Sequence, residues 1–332
     1  MDADAADPAA EDYNDGNRAF LQAFMARGTL TLSEGQKILA AIFTVQEGQS
    51  LLAILAERQA TDIIVPGKEN DPKNVTQADF DSFISAAADA LSPFDYEIRS
   101  TQHQISKERV YALVNSASDP LTQLATTRTP EELFFVKRLM DAMFETFNTN
   151  RKEVMAVTGM QAIHRSITKG GGGRQSLGES TQSVDKGLTQ ELAEKTLSSL
   201  VKEGWLERSK NGYYTLSPRA LMELRSWLVE TYNDSDDPED WQRIKFCEAC
   251  KEIVTIGQRC VELDCIVRLH DICQDSYWRS RPDKTCPKCE TEWDGKHYVG
   301  EKAVTTTEEY LKGKRRSGGA SRSLAAEEEE EE

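Results

Sequence analysis

The order helix, helix, helix, two-stranded ribbon occurs once in the first half of the chain, and a similar order recurs before residue 232. Seven cysteines and one histidine then crowd between Cys247 and Cys289. These observations predict an α+β chain, mainly helical, with tandem winged-helix domains followed by a cross-braced module built on two zinc ions. A third observation sets the compartment. The first 246 residues contain no cysteine, so the cluster reads as a metal site in a reducing environment and not as a disulfide framework. At 332 residues the chain has room for two or three domains.

Residues 1–12, rich in Ala and Asp, are expected to be disordered. The first winged helix is expected over 13–130. Phe20, Leu21, Phe24 and Met25 share a helical face, and Gly28 ends that helix. Ser33 serves as the N-cap of a second helix carrying Ile38, Leu39, Ile42, Phe43 and Val45. After a loop at 66–74, Thr76 with Asp79 three residues on opens a third helix through Phe80, Phe83, Ile84, Ala87 and Leu91. Tyr96 to Arg99 and Arg109 to Val114 then alternate as strands do.

The second winged helix is expected over 131–232. A long helix starts at Pro130 and runs through Phe147; a second covers Val154 to Ser166. A Gly/Ser-rich gap, 169–183, separates them from a helix over Leu188 to Glu203 with Leu192, Thr196, Leu200 and Val201 inward. Gly204 to Glu207 and Tyr213 to Leu216 flank Asn211-Gly212, a strong hairpin signal, and Pro218 opens a helix through Leu228. Residues 233–243 form an acidic linker, 244–296 the zinc module and 297–332 an unfolded tail.

The ligand string is Cys247-x2-Cys250-x9-Cys260-x4-Cys265-x4-His270-x2-Cys273-x12-Cys286-x2-Cys289. Eight soft donors complete two tetrahedral sites with none left over. Interleaving assigns Cys247, Cys250, His270 and Cys273 to one ion, and Cys260, Cys265, Cys286 and Cys289 to the other. Both sites are coordinatively full, so the zinc is structural and no position remains to activate water. The ligand order, four cysteines, one histidine, three cysteines, is that of a PHD finger, a histone-tail reader. Lys284 stands where that module places an aromatic. Trp278 and Pro287, by contrast, sit where a RING finger builds its groove for an E2 enzyme. Order favours one module and groove the other.

Several segments together resemble the non-SMC element one family, the variant-RING subunit of the Smc five/six chromosome-maintenance complex. They are Cys265-Ile-Val-Arg-Leu-His270-Asp-Ile-Cys273, Cys286-Pro-Lys-Cys289, Glu132-Leu-Phe-Phe-Val-Lys137, Gly204-Trp205-Leu206 and Arg18-Ala-Phe-Leu-Gln-Ala-Phe-Met25. The resemblance covers roughly residues 13–295. It implies winged helices that bind a MAGE-type subunit, a kleisin subunit in the same complex, and a RING-type E3 ubiquitin ligase acting in DNA repair and recombination, in the nucleus and on chromosomes. On that reading Ile253, Val254, Trp278 and Pro287 are the expected E2 contacts, and no residue does covalent catalysis. Departures from the family are the four-residue gap between Cys260 and Cys265, where two is commoner, apparent insertions at 48–74 and 170–173, and extensions at both ends. Ala249 stands where active RING fingers carry a large aliphatic, and Glu290 follows the last ligand where a basic residue clamps ubiquitin. Both departures point to an activity that is weak or depends on a partner. The alternatives are a non-catalytic assembly scaffold and a histone-tail reader.

The remaining signals exclude more than they assign. No run of about 18 apolar residues exists to span a membrane and no signal peptide opens the chain, so a soluble intracellular protein is expected. The two acidic ends, 1–12 and 327–332, take eleven of the sixteen excess negative charges and leave −5 for the rest. On the Leu188–Glu203 helix Lys195 and Lys202 face Glu191, Glu194 and Glu203, a poor balance for meeting phosphates. DNA contact is therefore expected mainly through the complex, with any direct share in wings and loops. The 131–147 helix carries more apolar residues than one face needs. Phe134, Phe135, Met140 and Phe144 are the expected partner contacts. Lys312, Lys314, Arg315 and Arg316 read equally as a nuclear-import patch or a solvated run.

Overall fold

The structure, a computed structural model, describes residues 13–57, 70–116, 127–167, 187–234, 236–237, 241–281 and 283–314. The N-terminal twelve residues, the glycine run and the glutamate tail, on which expectations of disorder rested, lie outside these. The described residues fall into two compact units.

The first unit holds α1 (Asp15–Arg27), β1 (Thr29–Thr31), α2 (Leu32–Glu57), α3 (Gln77–Leu91), β2 (Tyr96–Gln102) and β3 (Arg109–Asn115). Each helix end has a local cause. Asn14 and Thr76 close capping boxes with Asn17 and Asp79, and Gly28 ends α1 at φ 72°, a backbone region costly for any residue with a Cβ. Helix α2 begins earlier than Ser33. The Thr31 hydroxyl accepts from the Glu34 N–H, and the Thr31 N–H donates to the Glu34 carboxylate, so Thr31 makes the reciprocal cap. The strands form one antiparallel sheet, β1-β3-β2, with Leu30 opposite Tyr111. Phe20, Phe24, Leu30, Leu39 and Phe80 are its buried centre, whereas Met25, expected inward, is 55% exposed.

The second unit opens with α4 (Pro130–Asp141), capped by the Thr129–Glu132 box and extended by a π-helical turn over Ala142–Thr146. Residues 154–158, expected as helix, are not helical. Met155 takes φ 43°, and Val157 and Thr158 pair with Tyr214 and Tyr213, so only α5 (Gly159–Ile167) is helical. Helix α6 (Gln190–Lys202) follows, then β5 (Leu206–Arg208) and β6 (Tyr213–Leu216), giving the sheet order β4-β6-β5 with β4 at Val157–Thr158. The buried face of α6 is Ala193, Thr196, Leu197 and Leu200, about one residue off the expected stripe, which leaves Leu192 37% exposed. The expected helix from Pro218 to Leu228 is two. Pro218–Glu223 (α7) belongs to the first unit, where Met222 joins Ala112 and Val114, and Arg225–Tyr232 (α8) belongs to the second. Residues 298–311, expected as unfolded tail, carry β9 (Tyr298–Val299) and α10 (Lys302–Thr305). Tyr298 pairs with Gln258, and the Gly300 N–H donates to the Glu153 carbonyl at 2.7 Å. Among the described residues no helix is long and apolar enough to cross a membrane.

Candidate metal centre

The zinc module has little regular structure to position eight donors. Its frame is a three-stranded sheet, β8-β7-β9, with β7 at Gly257–Arg259 and β8 at Arg268–Leu269, followed by the short helix α9 (Gln274–Arg279). Strand β7 approaches β8 so closely that a Cβ on Gly257 would lie 2.2 Å from the Leu269 carbonyl oxygen, so glycine is required there. Cys260 follows β7 directly and His270 follows β8. One ligand of each site is thereby fixed to the same sheet.

The donors converge as interleaving requires. Cys247, Cys250, His270 and Cys273 form one group and Cys260, Cys265, Cys286 and Cys289 the other, each with all its donor atoms within 4.8 Å of one another. Cys260 Sγ lies 3.4 Å from Cys289 Sγ, and Cys265 Sγ lies 3.5 Å from Cys286 Sγ. Thiolates about 2.3 Å from a tetrahedral zinc stand about 3.8 Å apart, so the spacing is near that of a filled site. The imidazole is oriented too. His270 Nε2 lies 3.1 Å from the Ile253 carbonyl, to which its N–H donates, and this leaves Nδ1 toward Cys250 Sγ at 3.3 Å.

Electrostatics supply an independent test of fit. Hydrogen bonds from Cys250 and Cys273 push the Cys247 thiol far down, while hydrogen bonds with Cys247 and Cys250, with burial, drive Cys273 far up. Burial lowers the His270 pKa, but hydrogen bonds and charge from Cys247 and Cys250 outweigh it and raise the value to about 10. In the second group burial, with help from neighbouring sulfurs, raises Cys260, and raises Cys265 to about 11. Cys289 falls to about 6, the Thr291 hydrogen bonds overcoming burial. Four sulfurs at these distances cannot all ionise by themselves, whereas a divalent cation among them favours every thiolate at once. Both donor sets are therefore compatible with zinc, two ions in all.

A buried ion network, whose pairing no local sequence pattern announces, underlies both groups. Arg268, between ligands Cys265 and His270, is fully buried. Its Nε donates to Glu153 Oε2 at 2.8 Å, Nη2 donates to Glu153 Oε1, and Nη1 donates to the carbonyls of Cys265 and Val267 at 2.7 and 2.8 Å. Lys245 Nζ donates to Glu153 Oε1 at 3.1 Å and lies 4.0 Å from the centroid of the Trp241 ring. Burial pushes the Glu153 carboxyl up, but Arg268 and then Lys245 more than offset it, so it ends below the usual carboxylate value. For Lys245 burial wins, and the ammonium falls to about 8. Gln104 acts similarly. Its Oε1 accepts from the Thr255 and Ile256 N–H groups at 3.1 and 2.8 Å, and its Nε2 donates to the Ile253 carbonyl at 2.9 Å. A lone charge in the apolar run Ile266-Val267-Arg268-Leu269 was the one available signal for the network.

Several expected contact residues lie inside. Ile253 and Val254 are 2% and 1% exposed, because Ile253 bridges to Phe246 and both backbones pair inward, so neither side chain faces a docking protein. Trp278 is largely buried, 5.5 Å from the Trp293 ring, with an indole N–H that has no partner, and Pro287 is exposed. Of the expected partner contacts on α4, Phe135, Met140 and Phe144 are core. Only Phe134, at 37%, reaches the surface.

With this geometry described, the chain can be compared with known proteins. A family model described as "Nse1 non-SMC component of SMC5-6 complex" matches residues 17–224, and one described as "RING-like domain" matches residues 247–289. The chain is 24% identical over 284 residues to a Xenopus laevis "Non-structural maintenance of chromosomes element 1 homolog", covering 86% of this chain and 84% of the relative. The Homo sapiens protein of the same name is 25% identical over 221 residues, covering 67% and 71%. A chain of a solved structure titled "Nse1-Nse3-Nse4 complex" shares the fold with a TM-score of 0.58 at 22% identity, covering 85% of this chain and 97% of that one.

Proposed function

Because this chain belongs to the Nse1 family of non-SMC components of the SMC5-6 complex, we propose that it works there as a RING-type E3 ubiquitin ligase subunit in DNA repair and chromosome maintenance, in the nucleus. Its MAGE-type and kleisin partners on this reading are the Nse3 and Nse4 with which its solved relative is titled. The tandem winged-helix reading rests on two antiparallel three-stranded sheets, each with its last strand in the middle, built from the same order of helix, strand, helix, helix, strand, strand. The two domains are read over 13–130 and 131–232, with 218–223 packed in the first unit, and the zinc module over 244–296, with Phe134 as the exposed partner contact on α4.

The observation that carries the ligase reading is the pair of closed donor sets beneath α9 and Pro287. Cys247, Cys250, His270 and Cys273 would hold one ion, and Cys260, Cys265, Cys286 and Cys289 the other. Bound zinc supplies folding energy and no open coordination site. The chain's own contribution is orientation. Pro287 and the rim of Trp278 hold an E2 so that its ubiquitin thioester meets the acceptor amine in a reactive pose. With Ile253 and Val254 withdrawn into the core and only the small Ala249 exposed in the first loop, few apolar side chains are left to hold an E2, and activity depends on the MAGE-type partner.

The test is ubiquitin discharge from a panel of charged E2 enzymes, with the full chain alone and with its partner. Discharge is expected with the partner, and Pro287→Ala, whose side chain is outside the core, is expected to abolish it while zinc content stays at two. Trp278→Ala should do the same but requires a fold check, since Trp278 packs on Trp293. Absence of discharge across the panel with zinc bound and the complex intact favours a scaffold. The burial of Ile253 and Val254 already supports that second reading.

A further inference from the structure

Arg208 ends β5, and its guanidinium lies 5.6 Å from the centroid of the Tyr214 ring, which limits its freedom. The turn that follows is braced. The Gly212 N–H donates to the Ser209 carbonyl at 3.0 Å, the Tyr213 N–H donates to Ser209 Oγ at 3.2 Å, and Gly212 supplies φ 80°. Lys210, at the tip, is exposed. Facing this turn, the helix at 308–314 presents Tyr310, Gly313 and Lys314, which share one face at i, i+3, i+4. Together with Asn211 and Gly212, these residues line an open groove of about 660 Å³.

Among the described residues three cations line this groove and no carboxylate does, in a chain whose net charge is −16. The Asn211 side chain ties the turn to the helix and its approach: its Nδ2 donates to Glu301, beside the groove, at 2.6 Å, and its Oδ1 accepts from Lys314 Nζ at 3.3 Å. In the sequence Arg315 and Arg316 follow immediately. We propose that this groove binds the phosphate backbone of a nucleic acid, as a direct contact by this subunit. A guanidinium fork, two ammonium groups, a tyrosine hydroxyl and two glycines that let backbone approach are the groups that meet phosphodiester oxygens without reading sequence. The groove is open and too large for a single phosphate ion, so it suits a polymer that lies across it. The identity of that polymer as DNA rests on membership of a chromosome-maintenance family and is independent of the ligase reading. The same unit contains a contrasting surface. On α6, Lys195 and Lys202 share the exposed face with Glu191, Glu194 and Glu203.

Anisotropy of a labelled DNA duplex of about 20 base pairs, titrated with the full chain at about 50 and 200 mM salt, tests the proposal. Binding is expected to weaken steeply with salt. Arg208→Gln/Lys210→Gln/Lys314→Gln should bind about tenfold more weakly at the lower salt, with the log–log salt slope reduced by about 3. Lys195→Gln/Lys202→Gln should leave both unchanged. Circular dichroism and zinc content check folding, and Lys210→Gln alone, at an exposed turn tip, gives a two- to threefold loss (~1 unit of slope or less) even if the triple variant misfolds. The proposal is overturned if the wild-type chain does not bind at about 50 mM salt, or if the groove variants bind within error of wild type. It is equally overturned if the α6 pair loses as much affinity, or if a hexaglutamate peptide displaces DNA from the groove at lower concentration than unlabelled duplex does.

Discussion

The first unit and the zinc module close their interiors with opposite chemistry. In the first unit aromatic rings meet edge to face. Phe20 and Phe80 lie 6.1 Å apart at 83°, Phe80 and Tyr111 5.1 Å apart at 73°, and Phe20 and Phe83 5.5 Å apart at 67°. In the zinc module the largest fully buried side chain is an arginine, and the apolar centre is thin: Ile253, Val254, Val267, Leu269 and Trp293 among cysteines. An apolar interior is built from many small, replaceable contributions, so its loss is graded. A module held by two donor sets and one buried carboxylate concentrates its stability in a few atoms. Damage there is abrupt.

Metal removal gives the largest expected difference. A structural zinc site contributes on the order of 10–16 kcal/mol toward folding. Metal analysis of the full chain should return two zinc ions, and Cys260→Ser should lower that count. Chelation should abolish hydrogen-exchange protection across residues 247–289 while α1, α3 and β3 stay protected. Equal loss of protection in both places would break the comparison, because the first unit would then depend on the module's metal for its own fold.

Next in size is the carboxylate beneath the ligands. Glu153→Ala would leave Arg268 and Lys245 buried without their counter-charge, a loss of about 3–5 kcal/mol. Thermal denaturation of the zinc-loaded chain measures it. The pH dependence has a definite sign. The Glu153 carboxyl is held below its usual value of 4.5 in the folded state, so its contribution is complete above that value and is lost as pH falls through the folded one. Wild type and Glu153→Ala should therefore converge in stability under acid, after correction for any zinc released. A difference that persists unchanged at low pH would mean that Glu153 acts by packing alone.

The two regions also differed in what their sequences disclose. Helix positions in the first unit follow from apolar spacing and from caps that lie within three or four residues of each other, as Thr76–Asp79 and Gly28 show. The pairing of ligands was legible because cross-bracing leaves few ways to divide eight donors. What escaped was contact between distant residues. Glu153 and Arg268 are 115 positions apart, and Gln104 and Thr255 are 151 apart, with no periodicity joining them. Residues 154–158 have apolar character suited to helix or strand, and the pairing of Val157 and Thr158 with β6 decided against helix. Burial of Ile253 and Val254 was missed for a related reason. Their place in the ligand string suggests a groove, but the Phe246–Ile253 bridge turns them inward. Residues 298–311 looked polar enough to be tail, yet Tyr298 and Val299 complete the sheet that carries Cys260 and His270.

The smallest expected effect is the one most fully readable from sequence. The Thr76 hydroxyl accepts from the Asp79 N–H at 3.2 Å at the start of α3, satisfying a donor that the helix itself leaves open. Thr76→Ala removes that acceptor from an exposed position without opening a cavity, so the cost should be about 1 kcal/mol. Denaturant unfolding that follows the first unit should register it as a small fall in midpoint with an unchanged slope. The zinc count and the protection of residues 247–289 should not move. Thr76→Ser keeps the acceptor and should recover most of the loss. If Thr76→Ala instead costs as much as Glu153→Ala, the first unit is no more forgiving than the module, and its stability is concentrated at helix ends instead of being spread over Phe20, Phe24 and Phe80.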